Sequence, residues 1–168
     1  MDLIGQDPGR YGNLDFGNIS LRLNPQGSRF IVSGSQTGHV GQLSPEHYCL
    51  VVDASPGENR IESQGLIQPS SESLTHAGVY AQDSNIQAVI HGHSPEIWKH
   101  IAALKLPHTA ADVVYGTVAM AVAVEQLFQS GNLGQAGLFT MLGHEDGVVA
   151  FGATLQALNA LRKILSEL

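Results

Sequence analysis

A chain of 168 residues is one domain's length, and with 43% hydrophobic and 14% charged residues it can bury a core and is not a disordered segment. The formal net charge of -7, from 15 acidic and 8 basic side chains, argues against nonspecific nucleic-acid binding, which needs a basic face. A single cysteine, Cys49, excludes an internal disulfide framework and a Cys-rich zinc module.

The first half reads as strands. Asn18 to Leu23 ends at the turn cluster Asn24-Pro25-Gln26-Gly27, and Arg29 to Val32 returns. A polar stretch, Ser33 to Gly38, follows, and Ser44-Pro45-Glu46 starts a helix too short to extend. His47 to Ala54 has a buried-strand composition that places Cys49 in the core, and Pro56-Gly57-Glu58-Asn59 turns it back into Arg60 to Ser63. Successive hairpins mean antiparallel pairing. The second half changes period. Ser70 and Ser71 offer hydroxyl caps to a helix reaching about Ala81, with Glu72 in its first turn. Ala88 to His93 is a short apolar strand, after which Ser94 caps a helix with Pro95 at its first position. Gly116 or Thr117 opens a helix that ends at Gly131. Gly137 to Leu142 and Val148 to Phe151 are strands, and Thr154 to Leu168 carries a helical leucine stripe. No linker or repeat divides the chain, so residues 1–168 read as one domain, a largely antiparallel sheet covered by helices. The start has no signal-peptide pattern, and the longest nearly apolar run, Val113 to Val124, is too short for a membrane span. A cytoplasmic protein with neither membrane nor nucleic-acid partner is expected.

Eight histidines stand against 8 Lys plus Arg, which raises the question of a metal site. His91 and His93 lie two apart on a predicted strand, so both rings leave one face and can converge on one ion. His144 lies in a glycine-flanked turn that could join them, giving three ligands and an open fourth position. Alternatively, the pair are strand-end histidines satisfied by backbone carbonyls. Glu72 is a candidate base or a plain capping carboxylate. His76, one turn on, holds Glu72, packs, or ligates, with structural roles favoured. Asn18, the Ser33–Gly38 loop, Ser70 and Ser71 could cradle an anion or be only loop and cap, and Arg22 and Arg29 are the nearest cations in sequence. His39, His47, His100 and His108 read as solvated or locally bonded.

Together these pieces resemble the class II aldolase/adducin family. The matching stretches are Gly17-Asn18-Ile19-Ser20, Ser33 to Gly38, Pro69-Ser70-Ser71-Glu72, His91-Gly92-His93, Tyr115-Gly116-Thr117 and Gly143-His144, in the family's order. The resemblance implies an α/β fold, a central mainly antiparallel sheet with helices on both faces, with shortened N- and C-terminal ends. It implies that His91, His93 and His144 bind Zn2+ or another divalent metal such as Mn2+, Co2+ or Fe2+. Asn18, Gly34, Ser35, Ser70 and Ser71 would hold a substrate phosphate, with Thr37 or Gly38 as the alternative loop positions. Glu72 would move protons, and Asp112 would reach a neighbouring subunit of a homotetramer. The implied reaction is cleavage or epimerisation of a small phosphorylated sugar, or of a related carbonyl substrate, through a metal-stabilised enediolate. The family also contains dehydratases, decarboxylases and the catalytically inactive, oligomeric adducin-like interaction module.

Overall fold

The computed structural model describes residues 3–131, 133 and 137–153. Two two-residue strands, β1 (Gly5–Gln6) and β2 (Asp15–Phe16), form a small antiparallel pair ahead of the main sheet. The chain then runs through β3 (Asn18–Arg22), β4 (Phe30–Ser33), β5 (Tyr48–Ser55) and β6 (Arg60–Gly65) as an antiparallel meander. The loop between β4 and β5 holds only a short turn of 3-10 helix at Pro45–His47, as its Ser-Pro-Glu start predicts.

Next come α1 (Ser73–Gln82), β7 (Ala88–His93), α2 (Pro95–Lys99), α3 (Ile101–Leu104) and β8 (His108–Thr109). The described elements end with α4 (Val118–Gln129), β9 (Leu138–Met141) and β10 (Gly147–Gly152). The eight-stranded sheet has the order β6-β5-β4-β3-β7-β10-β9-β8, and only the β8–β9 pair is parallel. β7 is buried along its whole length, which suits its nearly continuous apolar run.

The pleat sorts two cores. Phe30, Val32, Val51, Val89 and Val149 meet α1 and α4 on one face, through Val79, Tyr80, Met120 and Val124. Ile90, Val148 and Ala150 meet α2 and α3 on the other, through Ile97 and Ile101. Helices therefore cover both faces, as expected. Ser94 accepts from the Ile97 N–H at 3.3 Å with Pro95 in the first turn, and Thr117 caps α4 by accepting from the Met120 N–H at 3.3 Å. One cap differs from the sequence reading. α1 starts at Ser73 with Glu72 in the cap position; the Glu72 side chain makes no cap bond, and the Ser70 hydroxyl accepts from the Glu72 N–H at 3.4 Å rather than from an N–H of the helix itself. The Ser70 carbonyl instead accepts from both the N–H and the hydroxyl of Ser73, which tightens the chain into a turn before the helix. The leucine stripe of residues 154–168 lies outside the described residues. No described helix is long and apolar enough to cross a membrane.

Candidate metal centre and cleft

In register, Asn18 of β3 and Val149 of β10 stand opposite His91, and Gly147 stands opposite His93. Cross-strand partners share a face, so Asn18, His91 and His93 all look towards the α1 side of the sheet. His144 comes from the tight turn between β9 and β10, where its N–H bonds the Met141 carbonyl and its own carbonyl accepts from Gly147. The flanking glycines make room: a Cβ on Gly147 would lie 2.8 Å from His144 Cδ2, and one on Gly143 would run into the Val113 carbonyl.

One ring nitrogen from each of His91, His93 and His144 falls within 4.8 Å of the others, the one such group of three among the described residues. The His91 and His93 Nε2 atoms are 3.1 Å apart. Two nitrogens bound at 2.0–2.1 Å to one tetrahedral ion would be about 3.3 Å apart, so this donor set fits a divalent cation. Burial lowers all three rings: His91 well below its ordinary value, with the neighbouring rings adding to the effect, His93 to about 3 and His144 to about 4. They are neutral at pH 7 and keep lone pairs to offer.

These histidines line a cleft of about 380 Å³, and so do Asn18, Gly34, Ser35, Ser70, Ser71 and Glu72. Glu72 is only 2% exposed, and burial raises its carboxyl to about 7. The Thr75 hydroxyl donates to its Oε2 at 2.8 Å, while Oε1 has no partner among the described residues. Asn18 Oδ1 is likewise buried and unpartnered. On the loop side, the Gly34 N–H is taken by the His47 carbonyl and the Ser35 N–H by the Gln68 carbonyl. Thr37 lines the cleft with its hydroxyl donated to the Gly34 carbonyl.

Asp112 stands apart. It is exposed and does not line the cleft of its own chain. His76 turns away from Glu72: it is fully buried, with Nδ1 at 2.7 Å from the Ser20 hydroxyl. Arg22 is consumed by the carbonyls of Gly27, Tyr80, Asp83 and Ile86, away from the cleft. His47 and His100 bond within their own turns, while exposed His39 pairs with Asp15 at 2.6 Å. Three residues at the centre were not singled out from the sequence. The Tyr11 ring lies 4.6 Å from His93, the Tyr115 ring lies 4.1 Å from His144, and Asp146 bonds the Tyr11 hydroxyl. Tyr115 belongs to a quoted motif and so had a signal. Tyr11 and Asp146 are 135 residues apart and had none.

Comparison with known proteins bears on the fold and the family. The structure aligns with L-fuculose 1-phosphate aldolase at a TM-score of 0.67, with 19% identity over 89% of this chain and 71% of the other. It aligns with l-fuculose-1-phosphate aldolase from Thermus thermophilus at 0.55, with 22% identity over 88% of this chain and 77% of that one. These likenesses show the fold. In sequence, 79 residues are 38% identical to methylthioribulose-1-phosphate dehydratase of Methylococcus capsulatus (strain ATCC 33009 / NCIMB 11132 / Bath), covering 47% of this chain and about a third (34%) of that relative's length. The family profile described as Class II Aldolase and Adducin N-terminal domain matches residues 10–163, and the chain belongs to the class II aldolase/adducin family.

Proposed function

We propose that the chain is a divalent-metal-dependent lyase of the class II aldolase type, with zinc as the first candidate, that cleaves or epimerises a small phosphorylated sugar. The observation that carries this reading is the juxtaposition, in one cleft, of three neutral histidines and a buried carboxyl with one oxygen unpartnered among the described residues. His91, His93 and His144 would hold the ion. A divalent metal supplies Lewis-acid polarisation of a carbonyl or hydroxyl oxygen. Glu72, at about 7, is poised both to take a proton from a substrate carbon or hydroxyl and to return it. Burial excludes water around that transfer and keeps the carboxyl from being levelled to an ordinary surface acid.

Asn18, Gly34, Ser35, Ser70 and Ser71 would receive the phosphate. Because the Gly34 and Ser35 amides are already bonded, the donors these residues would offer are the serine hydroxyls, the Asn18 amide and the backbone N–H groups of Ser70 and Ser71. Asp112, exposed and outside the lining of its own cleft, would act across a subunit boundary, a role that goes with a homotetramer. The similarity to a dehydratase favours a second reading, loss of water from a sugar phosphate, in which Glu72 does the same proton transfer. A non-catalytic interaction module fits less well, since an unpartnered buried carboxyl costs stability and serves no packing.

The test is metal content by mass spectrometry on untagged protein and on His93→Ala, followed by product analysis with sugar phosphates. About one ion per chain, lost in the variant, supports the centre, and cleaved, epimerised or dehydrated product names the reaction. Absence of metal from both proteins, even after incubation with zinc, overturns the enzyme reading.

A further inference from the structure

The segment ahead of β3 is fastened to the histidine cluster at several points. The His93 N–H donates to the Leu3 carbonyl at 2.9 Å, and the Tyr11 ring meets the His93 ring edge-on, 4.6 Å between centroids. The Tyr11 hydroxyl is 2.5 Å from Asp146 Oδ2 and 2.6 Å from Arg10 Nη2. A guanidinium can only donate, so the phenol oxygen accepts from Arg10 and its own proton goes to Asp146. Asp146 stands two residues after His144, and its carbonyl accepts from the Ser94 N–H at 2.8 Å. The turn carrying His144 is thus held by its backbone to the end of β7 and by a side chain to Tyr11.

Both ends of this tie occupy left-handed backbone, Tyr11 at φ 50° and Asp146 at φ 61°. Residues with a Cβ rarely adopt that conformation and keep it only where surrounding contacts offset the strain. Those contacts are visible here. The Arg10 guanidinium lies 4.8 Å from the Tyr11 ring centre and 4.6 Å from that of Phe16, and 3.8 Å from Asp146 Oδ2. The strain and the contacts converge on a single bond between two distant segments, beside the proposed ligands.

We propose that Tyr11 is a positioning residue for the metal centre: backed by Arg10, it grips Asp146 and so fixes the turn that presents His144 to His91 and His93. The proposal rests on the metal-binding reading above. Its probe is Co2+, whose affinity is measured by competition with a chromophoric chelator and whose visible absorption reports ligand geometry. Tyr11→Phe leaves the ring against His93 and removes only the hydroxyl. Its Co2+ affinity falls by about tenfold or more, in the range for lost outer-shell partners, and the absorption changes. Asp146→Ala reproduces that loss, Asp146→Asn restores most of it because an acceptor remains, and the double variant Tyr11→Phe/Asp146→Ala loses no more than the worse single variant.

Unchanged affinity and absorption in Tyr11→Phe, with at most a lower melting temperature of the metal-free protein, overturns the positioning role. Losses that multiply in the double variant overturn it too. If wild type binds Co2+, His93→Ala does not and Tyr11→Phe binds like wild type, this inference alone fails. If wild type takes up no Co2+, the metal-centre reading fails with it.

Discussion

Burial holds the Glu72 carboxyl at about 7 in the folded chain, against 4.5 for an ordinary glutamate. That gap ties chemistry to stability at one residue. Below pH 4.5 the carboxyl is protonated in both folded and unfolded chains, and the fold carries no penalty. Between 4.5 and 7 only the unfolded chain ionises, so stability declines as pH rises, and above 7 the loss is complete. Glu72→Gln cannot ionise and escapes this loss. In metal-free protein at pH 8 the variant is expected to be more stable than wild type by about 3 kcal/mol, or roughly 6–12 °C in melting temperature. At pH 4 the two should melt together. The same variant should bind metal like wild type and lose turnover, since no ligand nitrogen changes. Thermal melts at the two pH values and a turnover assay check both halves. Retained turnover would remove Glu72 from the mechanism, and equal melting at pH 8 would show that the carboxyl is not the strained group it is taken to be.

β7 and the turn before β10 carry the centre, and they differ in how far sequence reveals them. The alternation of Ala88 to His93 puts His91 and His93 on one face without any knowledge of neighbours, because the strand period is two. Ser94 and Pro95 then mark the strand's end through local capping chemistry. His144 needed more, since its meeting with the pair depends on β10 pairing with β7 in the register that sets Gly147 opposite His93. Gly147 itself is the element-scale test. A methyl there would sit 2.8 Å from His144 Cδ2 and 3.1 Å from Met141 Cε, so Gly147→Ala should rotate the imidazole out of the cluster. The expected result is a metal affinity lowered by about tenfold or more with the circular dichroism of the sheet unchanged. Wild-type affinity would mean that the ring position does not depend on that glycine. Other features were illegible for definite reasons. β1, β2 and β8 are two residues each, too short to show a period. The α1 cap moved to Glu72 because Ser70 closes a turn on Ser73, a competition that no residue count reveals. The Tyr11–Asp146 bond joins segments with no shared pattern, so only the folded chain displays it.

At the scale of the whole molecule, the cleft opens beside a group of exposed apolar side chains. Val114, Tyr115, Val118 and Val122 are all more than a third exposed, on α4 and the turn leading into it, and Tyr115 also lines the cleft. Exposed Asp112 lies two residues before Val114 in the chain and outside the lining of its own cleft. Exposed apolar side chains gathered on one element next to a site mark an interaction surface more often than a solvated face. A homotetramer in which this surface meets the next subunit would bury the valines and bring Asp112 to a neighbouring cleft. Light scattering at micromolar concentration should then give a mass of about four times 17.8 kDa. Val118→Glu, which sets a charge among these side chains, should shift that mass towards the single chain, leave metal content unchanged and lower turnover as Asp112→Ala does. The unchanged metal content matters because all three histidines come from one chain, so the centre should survive dissociation. A monomeric wild type would remove both the assembly and any role for Asp112. A tetramer that persists in Val118→Glu would place the subunit contact elsewhere on the molecule.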